Sequence, residues 1–252
     1  SQQTVGISTK TPTFGWIIRR NVIDGAGTGL YLGNSNYEEP FVGGVIEYNP
    51  IKNTIGYDMQ IKNQNPWPGH PALPAGDART IIRHNVFIKN DQASPDGARP
   101  NLLVGSPPPS GTGSGSSVEI HGNLFFHNSQ DEGLVQATGR VSIHDNVFVD
   151  ASDEALLLQA HDGFPLLRAH VYGNTIYGAK RGIVFGSAAT EGDVVTGNLV
   201  FAATPLEGAF TMEMEQDNLT GAVADAAMFV GSPGVVLGQM DFYPLAGKVE
   251  GG

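Results

Sequence analysis

Apolar and polar positions alternate in short bursts along the chain, and one burst recurs down most of its length. Two alternating apolar residues lead to an asparagine, and another apolar pair follows it: IIRRNVI, VIEYNPI, TIIRHNVF, EIHGNLF, SIHDNVF, HVYGNTI and VVTGNLV. The asparagines are Asn21, Asn49, Asn85, Asn123, Asn146, Asn174 and Asn198. Three residues before them stand Ile18, Ile46, Ile82, Ile120, Ile143, Val171 and Val195; two after them stand Ile23, Ile51, Phe87, Phe125, Phe148, Ile176 and Val200. Alternate side chains of a strand share a face, so both apolar columns point into one interior. The residue two before each asparagine then points out, and that column is Arg19, Glu47, Arg83, His121, His144, Tyr172 and Thr196.

A third short strand follows each pair, as GLYL, DMQI, NLLV, GLVQ, ALLL and GIVF. Three strands per coil make a prism whose rungs stack about 4.8 Å apart, with right-handed crossovers. The pattern predicts an all-β, right-handed parallel β-helix of three-strand coils, about seven or eight rungs in all. The helix is expected over residues 1–206, with 207–252 as a last irregular turn and C-terminal capping segment. The asparagines are expected to form a structural ladder, each in the left-handed backbone region of a sharp turn and bonded amide to amide between rungs. The segment AAMFVGSPGVVLGQMDFYPLAG, Ala226 to Gly247, is expected to cover the open end of the stack.

From about Trp16 to Ala203 the repeat resembles the short β-helix repeats of the pectate-lyase-like superfamily. The resemblance implies the fold and a setting among extracellular carbohydrates; unrelated activities share the scaffold. The catalytic signatures it would bring are missing. Neither paired aspartates with Gly-His-Gly and Arg-Ile-Lys nor Asp-His with Arg-x-Pro-x-x-Arg occurs. Lys62 and Arg83 are the best candidates for neutralising a uronate, and they project from different strands.

Composition agrees with many tight turns: 34 Gly and 16 Pro among 252 residues, with 15% charged. The absence of cysteine excludes disulfides and thiolate chemistry and is silent on compartment. A net charge of -11 argues against nucleic acid, and would repel a polyanion unless a basic patch is local. No apolar run is long enough to span a bilayer. The chain opens Ser-Gln-Gln, which suggests a mature or truncated secreted protein, extracellular or periplasmic, and a first coil without a cap suggests missing coils or a docked partner.

Chemistry is sought first on three long loops leaving the third strand: Gly33 to Gly44, Asn63 to Arg79 and Gly105 to Ser117. Tyr37 and Trp67 on these loops are candidate carbohydrate-binding residues, with His70 and Asp77 nearby. An acidic turn repeats as Asp131-Glu132 and Asp153-Glu154, with Lys180-Arg181 next. The four carboxylates are candidate ligands for a hard cation such as calcium, or a glycosidase-like pair, although no cofactor is required. Stacked His121 and His144 are candidates for acid-base or metal chemistry, alongside Asp153 and Glu154 as catalytic candidates. His84, His127, His161 and His170 show no common register. Met212 and Met214 raise a soft-metal site of the kind found in copper-maturation β-helix proteins. The outward residues of the third strands align as Tyr31, Gln60, Leu103, Val135, Leu157 and Val184. Leu103, Val135, Leu157 and Val184 would form an apolar stripe, covered by the Gly105 to Ser117 tract or by a polysaccharide or protein partner. The chain therefore reads as a noncatalytic module binding carbohydrate or protein, with a polysaccharide-active enzyme as the alternative.

Overall fold

The computed structural model describes residues 4–67, 73–209 and 215–249. Met212, Met214 and His70 lie outside the described residues. Among those described, every named strand pairing is parallel except Val230–Ser232 with Asp241–Pro244. The first strands, from Ile17–Arg19 through Asp193–Thr196 to Glu215–Gln216, form one 8-stranded sheet. The second and third strands belong to one 14-stranded sheet, because Thr175–Phe185 runs through both positions. The molecule is a parallel β-helix.

The two predicted apolar columns line its interior. Phe87, Phe125 and Phe148 are fully buried and stack with ring centroids 4.9 and 5.0 Å apart. Equal side chains at equal heights pack in register, so one rung's packing is repeated by the next.

The asparagines stand in one file. Each Oδ1 accepts from the Nδ2 of the asparagine one coil before: 3.0 Å for Asn21 to Asn49, 2.9 Å to Asn85, 3.1 Å to Asn123 and 2.9 Å to Asn146. The file continues at 3.0 Å to Asn174, 3.0 Å to Asn198 and 2.8 Å to Asn218. The left-handed backbone, however, is taken by the preceding residue. Arg20, Tyr48, His84, Asp145 and Asp217 have φ between 53 and 56°, and glycines occupy the other corners. The ladder asparagines themselves lie outside the left-handed region, and their amides reach the next rung.

The stack runs past residue 206: Leu199–Gly208 crosses it, and Leu219–Gly221 adds a further second strand. Instead of crossing the open end, the described C-terminal segment packs on the flank. Phe229, Phe242 and Val249 meet Leu199 and Phe201, whose neighbour Val200 points into the core. Met240 to Pro244 run beside Leu124, Val147, Thr175 and Leu199, one residue from each of four coils. Burial of the outward Leu199 and Phe201 rewards this lateral placement.

Candidate functional site

The third-strand face is built by the register of five consecutive pairings. Tyr31 pairs with Gln60, Gln60 with Leu103, Leu103 with Gln136, Gln136 with Leu157 and Leu157 with Val184. Gln136 therefore holds the position expected for Val135, which points inward and is fully buried. Val135 and Leu134 both enter the core, so the apolar run offered no sign of the slip. The stripe is also closed within the chain: Leu103 is 4%, Val184 4% and Leu157 9% exposed. These residues form a sealed floor and offer no bare interface to a partner.

One wall of this face comes from the loops after the third strands. Lys10 and Lys62 place Nζ 4.7 and 5.4 Å from the centre of the Tyr31 ring. The tight turn from His161 to Phe164 leans back over the floor, where His161 Nδ1 lies 3.1 Å from Gln136 Nε2. Tyr37 donates from its hydroxyl to Asp162 Oδ2 at 2.9 Å and packs edge-on against Phe164, centroids 5.2 Å apart. Burial and the Asp162 carboxylate both raise the Tyr37 pKa. Tyr37, half-buried, thus stays at the rim as a candidate ligand contact.

Trp67 does not. It is 5% exposed, and its Nε1 donates to Gln64 Oε1 at 2.8 Å. Gly113 lies flat on the ring; a Cβ there would come within 2.4 Å of it. The Gly105 to Ser117 tract covers this indole. Asp77 holds the same tract, accepting from Gly115 N–H at 2.8 Å. Trp67 anchors two loops and cannot stack on a sugar.

The opposite wall precedes the third strands. Arg99 sits 5.7 Å from the ring centre of Tyr57, whose pKa burial raises, and Tyr57 feels the charges of Glu132 and, across the floor, Asp162. Arg181 bonds both oxygens of Asp153 at 3.0 Å, Glu207 at 3.2 Å, and Glu154 as well. The guanidinium occupies the place a cation would take. Asp131 is exposed, and no group of three or more His, Asp or Glu gathers for a metal among the described residues. Val135 pairs with Leu156, not Leu157, which sets the two acidic turns one residue out of the expected alignment. The wall is nonetheless differentiated. Burial, then the Glu154 charge, raises the Glu132 pKa, burial raises that of Glu154, and Arg181 holds Asp153 below its ordinary value.

On the first-strand face, His121 and His144 stack as expected, centroids 4.9 Å apart and planes within 1°. Tyr172 continues the stack at 4.6 Å. His84 joins from the turn, 5.5 Å from His121 and 5.1 Å from Tyr48; its left-handed backbone swings it into a column that strand register alone does not show. His144 is committed at both nitrogens, to Asp145 at 2.8 Å and Glu119 at 3.2 Å. Burial, then His144, lowers the His121 pKa. No third ligand joins the pair among the described residues.

A family model described as the right handed beta helix region matches residues 5–202. The chain belongs to the right-handed β-helix family. No curated protein and no solved structure matched it. For a right-handed β-helix, family membership supplies the scaffold, and ligand choice rests with the side chains on its faces. No helix among the described residues is long and apolar enough to cross a membrane.

Two features of this β-helix escaped the sequence pattern. Asn218 is an eighth ladder residue, marked only by the fragment DNLTG, because Thr220 replaces the expected apolar residue after it. The His161 to Phe164 turn carries no motif, and only the folded stack brings it to Tyr37, 125 residues earlier.

Proposed function

We propose that this β-helix is a secreted carbohydrate-binding module, extracellular or periplasmic, that takes a glycan chain along its third-strand face. The observation that carries the reading is the convergence of polar side chains from distant coils over a sealed floor: Tyr37, Asp162, His161 and Lys62 on one side, Tyr57, Arg99 and Glu132 on the other. Such walls offer directional hydrogen bonds to hydroxyl groups, and a rigid repeating floor loses little entropy on binding an extended polymer. No cofactor enters this reading. Calorimetric titration with a panel of neutral oligosaccharides tests it. Binding weakened about tenfold by Tyr37→Ala or Asp162→Ala supports it, and a panel without any binder sinks it.

One observation favours a second reading, a polysaccharide-active enzyme. Burial raises the pKa of Glu132, while the bound Arg181 lowers that of Asp153 on the next coil. Divergent carboxyls of this kind mark acid and base roles in glycan cleavage. New reducing ends or unsaturated products that disappear in Glu132→Gln would establish that chemistry.

A further inference from the structure

The residues that follow the ladder asparagines point outward on the second strands, one per coil. Their column runs from Val22 to Leu219 and is apolar at every coil except that of Thr175. The outward column beside it, two residues on, is apolar from Ile88 through Phe126, Val149 and Tyr177 to Phe201. A face turned to water carries polar residues at its outward positions, as the first strands do with Arg83 and Ser142. This flank has the composition of a covered one.

The chain covers only part of it. Its C-terminal hairpin, Val230–Ser232 with Asp241–Pro244, lies over the later coils, where Tyr177, Leu199 and Phe201 pack with Phe229 and Phe242. Leu199 is 6% and Phe201 0% exposed, whereas Val22 on the first coil is 70% exposed. Val86 and Ile88 on the third coil are partly exposed. The first two coils add one charged pair to this face, Asp24 and Lys52, which neutralise each other at 3.1 Å.

The outer side of the hairpin is apolar as well. Its tip presents three consecutive aliphatic residues, Val235 at 45%, Val236 at 53% and Leu237 at 43% exposed, and Tyr243 on its second strand is 82% exposed. One segment thus carries the same chemistry on both sides, and its inner side already packs on the outward columns of the second strands.

We propose that two copies of this chain pair across the second-strand face about a two-fold axis, the hairpin tip Val235 to Leu237 of each docking on the first coils of the other, from Val22 to Ile88. A hairpin packed on a sheet stands about 10 Å above it, so each flank is a step, high at the last coils and low at the first. Two such steps mate only when they run in opposite directions, which is the isologous arrangement of a closed dimer. Removing the tip and Val22 from water drives the association. A lipid surface suits the tip less well. From residue 229 to 249 Lys248 is the one cation, opposed by Asp241, and a chain of net charge -11 is repelled by an anionic leaflet. The flank is separate from the third-strand face, so pairing and glycan binding stand or fall independently.

Sedimentation equilibrium of the full chain over a concentration series tests the pairing. The expected result is a monomer–dimer equilibrium, weakened at least about thirtyfold in Val236→Asp/Leu237→Asp and, from the other side of the contact, in Val22→Asp. These three side chains are exposed in a single copy, so the circular dichroism of the variants matches that of the parent. Tyr37→Ala leaves the equilibrium unchanged. Because the chain has no cysteine, a short bis-maleimide joins Val22→Cys to Val236→Cys in a mixture of the two variants and links neither variant to itself. A monomer at every concentration, open-ended larger assemblies, a dimer that survives both sets of aspartates, or crosslinking of either cysteine variant to itself overturns the proposal. So does flotation of a monomeric parent with phosphatidylcholine vesicles that Val236→Asp/Leu237→Asp abolishes, which would assign the tip to a membrane surface.

Discussion

Asn146 Oδ1 accepts two hydrogen bonds from Asn123, one from its backbone N–H at 3.0 Å and one from its Nδ2 at 2.9 Å. Asn146 Nδ2 in turn donates to the carbonyls of Ile120 and His144, at 2.9 Å each, and to Asn174 Oδ1 at 3.0 Å. The side chain is a connector between three rungs, nearly all of it buried. Asn146→Ala strands donors on one side and carbonyls on the other, where water does not reach. Each buried unsatisfied group costs about 1–3 kcal/mol, so a loss of about 3 kcal/mol is expected in urea unfolding. Asn21→Ala, at the half-buried start of the file, should cost less than about 1 kcal/mol. Equal losses at the two positions would contradict the ladder as the source of stability.

The ladder and the core columns were legible because each rung imposes the same demand on its own short segment. Ile120, Asn123 and Phe125 fall within one six-residue segment, and the next coil repeats that segment. The candidate site was less legible. The slip from Val135 to Gln136 follows from Leu134 entering the core at a corner, and an unbroken apolar run hides which of two residues turns inward. Trp67 looked available because it stands on a long loop leaving the third strand, yet an indole is buried wherever another loop can cover it. Tyr37 and Asp162 meet only after the intervening coils have stacked, so no local pattern announces them.

Trp67→Ala separates anchoring from recognition. Removing a buried indole costs about 3–5 kcal/mol, and Gln64 loses a bond at 2.8 Å. Thermal unfolding should shift down, while affinity for any glycan on the third-strand face, measured well below the transition, stays within about twofold. A selective loss of affinity without a loss of stability would restore the indole as a binding residue.

His127 lies between two carboxylates, Asp150 at 2.6 Å and Asp91 at 3.0 Å. Burial opposes its charge, but the two carboxylates outweigh burial and raise its pKa. A histidine whose folded pKa lies above the unfolded value of 6.5 contributes its stability fully below 6.5 and loses it as pH rises through the folded pKa. His127→Gln should therefore be less stable than the parent by about 1 kcal/mol at acid pH, with the gap narrowing at alkaline pH. Urea midpoints of both proteins on either side of that window check the sign, and a gap that widens with pH refutes it.

Asp58 is fully buried, with Oδ1 accepting from Thr54 Oγ1 at 2.7 Å and Oδ2 left without a partner. Burial pushes its pKa up to about 7, against the Thr54 bond and the charge of Lys89, while burial pushes Lys89 down to about 8. A carboxyl with a raised folded pKa binds its proton more tightly in the native state, so stability falls as pH rises from the unfolded value of 3.8 through about 7. Lys89 is protonated in both states below about 8 and adds no slope in that range. Asp58→Asn removes the titration and keeps the shape, so the variant should gain on the parent by on the order of 2 kcal/mol between acid and neutral pH. Other carboxyls contribute equally to both proteins and cancel in the difference. Parallel stability curves for the two proteins across this range would show that Asp58 does not hold its proton in the folded stack.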